Sequence, residues 1–176
     1  MVSGRALSKA IFLDRDGIIN IRRTRYVKTV DEFELIPDIS YWLKILSKNS
    51  FKLIVITNQS MISRKISTKE NLTKIHNKMK NEFSKKGFNI DGIYYCPHTQ
   101  QENCNCRKPK TGLFEKAIRD FSINIKHSWL IGDEETDIIA GKKIGCNTIK
   151  IRTNQSIKNA VRKILNDSAV LYNDKP

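Results

Sequence analysis

Three short stretches are apolar on consecutive residues rather than alternate ones: Lys9–Leu13 (KAIFL), Phe51–Ile56 (FKLIVI) and Ser128–Ile131 (SWLI). A strand with one wet face alternates apolar and polar side chains; a continuously apolar strand is covered on both faces. Such strands belong in a parallel sheet with helices on either side, and helical patterns lie between them here. Asp38–Asn49 places Ile39, Trp42, Leu43 and Leu46 on one stripe. Ser67-Thr68-Lys69-Glu70 has the spacing of a capping box. The helix it opens carries Leu72, Ile75, Met79 and Phe83 and stops at Gly87. Ile90–Tyr95 reads as a third strand, Leu113–Phe121 as a helix, and a further helix follows Ile131 to about Gly145. Thr148–Ile151 reads as a fifth strand, Ser156–Leu165 as a last helix, and Ala169–Tyr172 as a short edge strand. The expectation is a three-layer α/β/α sandwich of Rossmann-like type with a mainly parallel sheet. No Pro/Gly/Ser-rich linker divides the 176 residues, so one domain spanning 1–176 is expected.

In open parallel sheets, ligands gather beyond the carboxyl ends of the strands. The residues just past each strand are therefore informative. Asp14 and Asp16 come after the first strand, and Thr57, Asn58, Gln59 and Ser60 after the second. A cysteine-rich loop leading to Arg107 and Lys108 comes after the third, and Gly132, Asp133 and Asp137 after the fourth. Residues two apart on a strand point to the same side, so Asp14 and Asp16 face one cavity. Together with Asp133 they make a hard, oxygen-rich site suited to Mg²⁺ and a phosphate. Lys108 adds a fixed positive charge, and Thr57 and Asn58 add hydrogen-bond donors. A carboxylate in that setting can attack phosphorus and form an aspartyl-phosphate, while the second carboxylate protonates the leaving oxygen and then activates water. As a bare motif, an Asp pair before a glycine is also an ordinary turn; four compatible strand ends in order make the catalytic reading the stronger one.

The stretch CPHTQQENCNC supplies Cys96, His98, Cys104 and Cys106. Three thiolates and an imidazole form a closed tetrahedral Zn²⁺ set with no open position, so a structural zinc is expected in loop 96–106. It would brace the segment that presents Lys108. Cys146 reads as a small core residue, and His76 and His127 as structural or solvent-exposed.

Lysine and arginine number 32 against 18 acidic residues, a formal net charge of +14. That balance favours anionic partners and equally describes a solvated lysine surface. No apolar run is long enough to span a membrane, and the N-terminus lacks a signal-peptide core, so a cytoplasmic protein without membrane or nucleic-acid partners is expected.

Taken together, FLDRDG, VITNQS, the lysine of CRKP and GDxxxD match the four motifs of the haloacid dehalogenase-like phosphatases. The resemblance runs from about Ile11 to Arg152. Within that superfamily, FLDRDGxxN, TNQS, CPH…CNCRKPxxG and GDxxxDxxAGxxxGC resemble the D-glycero-D-manno-heptose 1,7-bisphosphate 7-phosphatases of nucleotide-activated heptose biosynthesis. Histidinol-phosphate phosphatases are the near relatives, and a nucleic-acid 3′-phosphatase is a more distant alternative. TNQS and the Ala140–Cys146 stretch favour the heptose branch. The resemblance implies a capless fold with the same zinc loop and a phosphorylated sugar as substrate; a monomer is expected. It implies Asp14 as nucleophile and Asp16 as acid/base. Mg²⁺ would be held by the Asp14 side chain, the Asp16 carbonyl and Asp133. Thr57 and Lys108 would hold the transferring phosphoryl group. Arg107, Arg64 and the Asn58–Ser60 turn would contact the sugar or its remaining phosphate. Three positions depart from the pattern. Met61 and Lys65 replace the usual glycines, and Glu134 stands where a lysine is common. The loop Ile21–Tyr26 carries three arginines in place of an acidic, histidine- or glycine-containing one; they read equally as a grip on a more anionic substrate and as surface charge.

Overall fold

The computed structural model describes residues 7–173. Five strands form one parallel sheet: β1 (Lys9–Leu13), β2 (Phe51–Asn58), β3 (Gly92–Cys96), β4 (Trp129–Gly132) and β5 (Asn147–Lys150), in the order β3-β2-β1-β4-β5. The apolar runs are buried on both faces as expected. Ile11, Leu13, Leu53, Val55 and Ile131 face one side, where α1 (Ile39–Lys48), α2 (Lys69–Lys85) and α5 (Lys158–Asn173) contribute Leu43, Met79 and Val161. Ala10, Phe12, Ile54, Ile56 and Leu130 face the other, under α3 (Gly112–Phe121) and α4 (Glu135–Ile144). The two-residue period of the strands makes this division, because neighbouring side chains leave on opposite faces. Each large side chain so buried contributes about 1.5–3 kcal/mol. Phe12 and Phe114 meet edge to face, with ring centroids 5.3 Å apart.

Two local expectations are corrected. Ala169–Tyr172 is the last part of α5 and not an edge strand. Helical spacing runs on from Ala160, Val161 and Ile164, and Ser168 Oγ donates to the carbonyl of Ile164 at 2.7 Å. A β-prone composition over four residues does not interrupt a helix already under way. At the start of α2 the cap is Thr68, one residue later than the capping-box spacing suggests. Its Oγ1 accepts from the N–H of Asn71 at 3.2 Å. A reciprocal box instead opens α4, where the N–H of Glu134 donates to Asp137 at 3.1 Å.

Register decides what the sheet presents at its carboxyl edge. Leu13 pairs with both Val55 and Ile131, so Asp14 ends the central strand within one residue of the level of Thr57 and Asp133 on its two neighbours. Asn58 pairs with Cys96, which sets the start of the cysteine loop beside the end of β2. The N–H of Gln59 completes that junction by donating to the carbonyl of Cys96 at 2.7 Å.

Candidate active site and cysteine cluster

A cavity of about 640 Å³ opens at this edge, lined among others by Asp14, Asp16, Thr57, Asn58, Ser60 and Lys108. Lys108 is only 4% exposed. Its Nζ lies 2.8 Å from Asp14 Oδ1 and 2.6 Å from Asp137 Oδ1, and donates to the carbonyl of Ile56 at 2.7 Å. Burial works against its charge, but Asp14 and Asp137 together hold its pKa well above the usual lysine value. Asn58 fixes the backbone of the same residue from both sides, accepting from the Lys108 N–H at 3.1 Å and donating to its carbonyl at 3.3 Å.

The two carboxylates of Asp14-Arg15-Asp16 are in opposite electrostatic states. Burial pushes Asp14 up to about 7, with Lys108 opposing the rise and Asp137 and Asp16 adding to it. Burial acts on Asp16 in the same direction, but Arg15, Asn20 and Gln59 overcome it and hold its pKa below the ordinary carboxylate value. The donors are Arg15 Nη2 at 2.8 Å to both oxygens, Asn20 Nδ2 at 2.9 Å and Gln59 Nε2 at 2.8 Å. Arg15 is itself fully buried, and its Nη1 donates to His76 Nε2 at 3.3 Å. Burial and the neighbouring guanidinium depress the His76 pKa to about 3, so the ring stays neutral and accepts.

The oxygens of Asp14, Asp133 and Asp137 lie within 4.8 Å of one another. Asp133 Oδ2 accepts from Thr153 Oγ1 at 2.7 Å and from Arg22 Nη1 at 3.3 Å, whereas its buried Oδ1 has no protein partner. An orphaned carboxylate oxygen beside a second carboxylate fits a hard divalent cation such as Mg²⁺. Gly17 makes room for this arrangement. It sits at φ +94°, and a Cβ there would come within 2.6 Å of Asp133 Oδ2 and 2.9 Å of Thr153 Cγ2. Gly17→Ala is therefore expected to displace Asp133. The Mg²⁺ dissociation constant should rise at least about tenfold, and stability should fall by roughly 1–3 kcal/mol from the strained backbone; calorimetric Mg²⁺ titration and thermal melting would check both.

Cys96, His98, Cys104 and Cys106 form a second cluster, also with all ligand atoms within 4.8 Å. The sulfur–sulfur distances are 3.2, 3.3 and 3.5 Å, and His98 Nδ1 lies 3.2 Å from Cys106 Sγ. Four ligands at zinc–sulfur bond length would stand about 3.8 Å apart at the corners of a tetrahedron, so the set suits zinc with a small expansion. Desolvation raises the Cys104 thiol, but hydrogen bonds from Cys106 and Cys96 outweigh it and bring it down to about 6. Arg107 Nη1 donates to the carbonyl of His98 at 3.0 Å, tying the loop to the cavity wall.

The remaining residues singled out from sequence divide by position. Asn58, Ser60 and Arg107 line the cavity. Gln59 is buried beneath it, bonded to Asp16 and to Thr57 Oγ1 at 2.9 Å, which is a supporting position. Arg64 is exposed and outside the residues lining the cavity. Met61 is fully buried, and Lys65 adopts φ +55°, the left-handed conformation that favours the glycine it replaces. Arg15, Asp137 and Thr153 have no role assigned from sequence, and Arg22 stands there only as one of three rim arginines, read equally as a grip on an anionic substrate and as surface charge. Two signals were available: the charged residue between two strand-end carboxylates pointed to Arg15, and the second aspartate of GDxxxD pointed to Asp137.

A parallel five-stranded sheet with an aspartate pair, a buried lysine and a late acidic pair on one edge defines a hydrolase of the HAD type. The HAD-hydrolase-like family model matches residues 105–173. A D-glycero-beta-D-manno-heptose-1,7-bisphosphate 7-phosphatase of Neisseria meningitidis is 40% identical over 150 residues, covering 85% of this chain and 80% of that protein. A D-glycero-alpha-D-manno-heptose-1,7-bisphosphate 7-phosphatase of Campylobacter jejuni is 39% identical over 142 residues, covering 81% of each. The crystal structure of D,D-heptose 1,7-bisphosphate phosphatase from B. bronchiseptica, complexed with magnesium and phosphate, superposes with a TM-score of 0.79 at 30% identity, covering 90% of this chain and 86% of that one. The chain belongs to the D-glycero-manno-heptose-1,7-bisphosphate 7-phosphatase family, and is a phosphoric monoester hydrolase of the HAD superfamily.

Proposed function

We propose that the protein removes the C7 phosphate of D-glycero-D-manno-heptose 1,7-bisphosphate through an aspartyl-phosphate on Asp14. The observation that carries this reading is that Asp14 and Lys108 line one cavity with the Asp133 carboxylate clustered beside Asp14, in a chain about 40% identical to heptose-bisphosphate phosphatases over four fifths of their length. An Asp14 oxygen attacks phosphorus, and the bond from phosphorus to the C7 oxygen breaks. Asp16 gives its proton to the departing oxygen. In the second half Asp16 takes a proton from water, the water oxygen attacks phosphorus, and Asp14 is freed with inorganic phosphate. The donors around Asp16 favour its carboxylate, the form that water activation needs; the acid form requires its carboxyl to turn out of the Arg15 fork toward the leaving oxygen. Lys108 holds charge on the transferring group, with Thr57 as a further donor. Asp14 and Asp133, with the Asp16 carbonyl, would hold Mg²⁺, which when bound offsets the crowded carboxylate and phosphoryl charge. Arg107, Asn58 and Ser60, which line the cavity, would meet the sugar or its second phosphate.

The test is phosphate release with Mg²⁺ from both anomers of heptose 1,7-bisphosphate, histidinol phosphate, fructose 1,6-bisphosphate and a 3′-phosphorylated oligonucleotide. A heptose anomer is expected to exceed the others by at least about a hundredfold in kcat/KM, since a site built for particular hydroxyls rejects ligands lacking them. A larger value for histidinol phosphate or the oligonucleotide would overturn the substrate while leaving the chemistry intact.

A further inference from the structure

Glu134 poses an electrostatic problem. It lines the same cavity as Asp14, and a carboxylate on that wall repels a phosphate ester. The structure resolves the problem with the arginine loop. Arg22 Nη2 lies 2.5 Å from Glu134 Oε1 while its Nη1 lies 3.3 Å from Asp133 Oδ2. The Arg22 backbone is clamped as well. Its N–H donates to Asn154 Oδ1 at 2.6 Å, and Asn154 Nδ2 donates to its carbonyl at 3.4 Å. Asn154 is in turn fixed to the catalytic turn, its N–H donating to the carbonyl of Gly17 at 2.8 Å.

The other two arginines of the loop are placed differently. Arg23 also lines the cavity, but its Nε donates to the carbonyl of Glu32 at 2.8 Å and braces the loop to itself; Arg25 lies outside the residues lining the cavity. Arg22 alone among the three is held at both ends and aimed at the wall carrying Asp133 and Glu134. Its side chain keeps 44% of its surface exposed, so guanidinium surface remains for a ligand after both ion pairs are made.

We propose that Arg22 is an anion-contacting, specificity-determining residue on the metal-side wall, and that Glu134 is the positioning residue that aims it. This rests on the reading of the cavity as a phosphate-ester site. The pair works as a unit: Glu134 directs the guanidinium, and the guanidinium masks the charge of Glu134 from the substrate. Without Arg22, the wall would present an uncovered carboxylate to an anion. The carboxylates and cations lining the cavity number four each, so loss of one cation turns its balance negative.

The test compares the parent protein, Arg22→Gln, Glu134→Gln and the double variant by calorimetric titration with inorganic phosphate in saturating Mg²⁺, by Mg²⁺ titration alone, and by steady-state kinetics. Arg22→Gln is expected to weaken phosphate binding and raise KM about tenfold, with a smaller fall in kcat. The double variant is expected to regain about threefold of that loss, because the uncovered carboxylate has gone. The Mg²⁺ affinity of Arg22→Gln should stay within about twofold of the parent, since Thr153 still holds Asp133. The proposal falls if Arg22→Gln leaves phosphate binding within about twofold, as an exposed surface ion pair would. It falls equally if the double variant regains nothing, or if Mg²⁺ and phosphate affinities drop in step, which would place the action of Arg22 on Asp133. A parent protein that binds no phosphate with Mg²⁺ present would overturn the phosphate-site reading itself.

Discussion

Asp14→Asn is expected to lower phosphate release by at least about a thousandfold while leaving the fold intact. The amide has the shape of the carboxylate but cannot form an acyl-phosphate by attack on phosphorus. The surroundings tolerate it: Lys108 keeps Asp137 at 2.6 Å and the carbonyl of Ile56 at 2.7 Å. The charge on Asp14 is a burden on the metal-free fold. Its folded pKa, about 7, lies above the ordinary carboxylate value, so the folded state binds the proton more tightly than the unfolded one. Stability without metal therefore falls as pH rises from about 4 through 7 and stays reduced above it. Removing the charge lifts that cost, and Asp14→Asn in metal-free buffer at pH 8 should melt no lower than the parent. Activity assays with thermal melts at pH 8 check both halves. Retention of activity to within about tenfold would end the assignment of Asp14 as nucleophile.

Removal of the metal expected at Cys96, His98, Cys104 and Cys106 should have the second largest effect, and it should be felt in stability first. Elemental analysis should find about one zinc per chain, as a closed four-ligand set requires. Cys106→Ser should lose that zinc and lower the melting temperature by roughly 10 °C, the shift that about 3–4 kcal/mol produces in a chain of this size. The loop 97–106 carries no helix or strand, so little else orders it. Activity should drop in turn, because Lys108 stands two residues beyond Cys106 and Arg107 is braced on the His98 carbonyl. Its fall is expected to be about tenfold, since Asn58 still grips the Lys108 backbone. Zinc-free protein as purified, or a Cys106→Ser variant with an unchanged melting temperature, would remove the structural-metal reading.

The two expectations differ because the clusters differ in kind. The carboxylates are held apart by a lysine, an arginine and backbone turns that survive without a metal. Cys96 is anchored in β3, but the loop that brings His98, Cys104 and Cys106 to it carries no helix or strand of its own.

Much of this was legible in the chain itself. Near-continuous apolar runs at β1, β2 and β4 called for a sheet covered on both faces, because no alternating set of polar side chains was available for a wet side. Polar residues directly after those runs then had to gather at one edge, which is why Asp14, Thr57, Lys108 and Asp133 could be named from sequence. The cysteine cluster was legible for a similar reason: its four ligands lie within eleven residues, and local spacing limits where they can go. What the tertiary structure alone decided is which charges meet across long separations. Arg22 stands 111 residues from Asp133, and Lys108 stands 94 from Asp14. Sequence showed Glu134 as a misplaced carboxylate and Arg22 as one of three rim charges. Only the fold shows them paired, because an ion pair depends on distance and burial, and neither is a property of a residue until the strands have fixed their register.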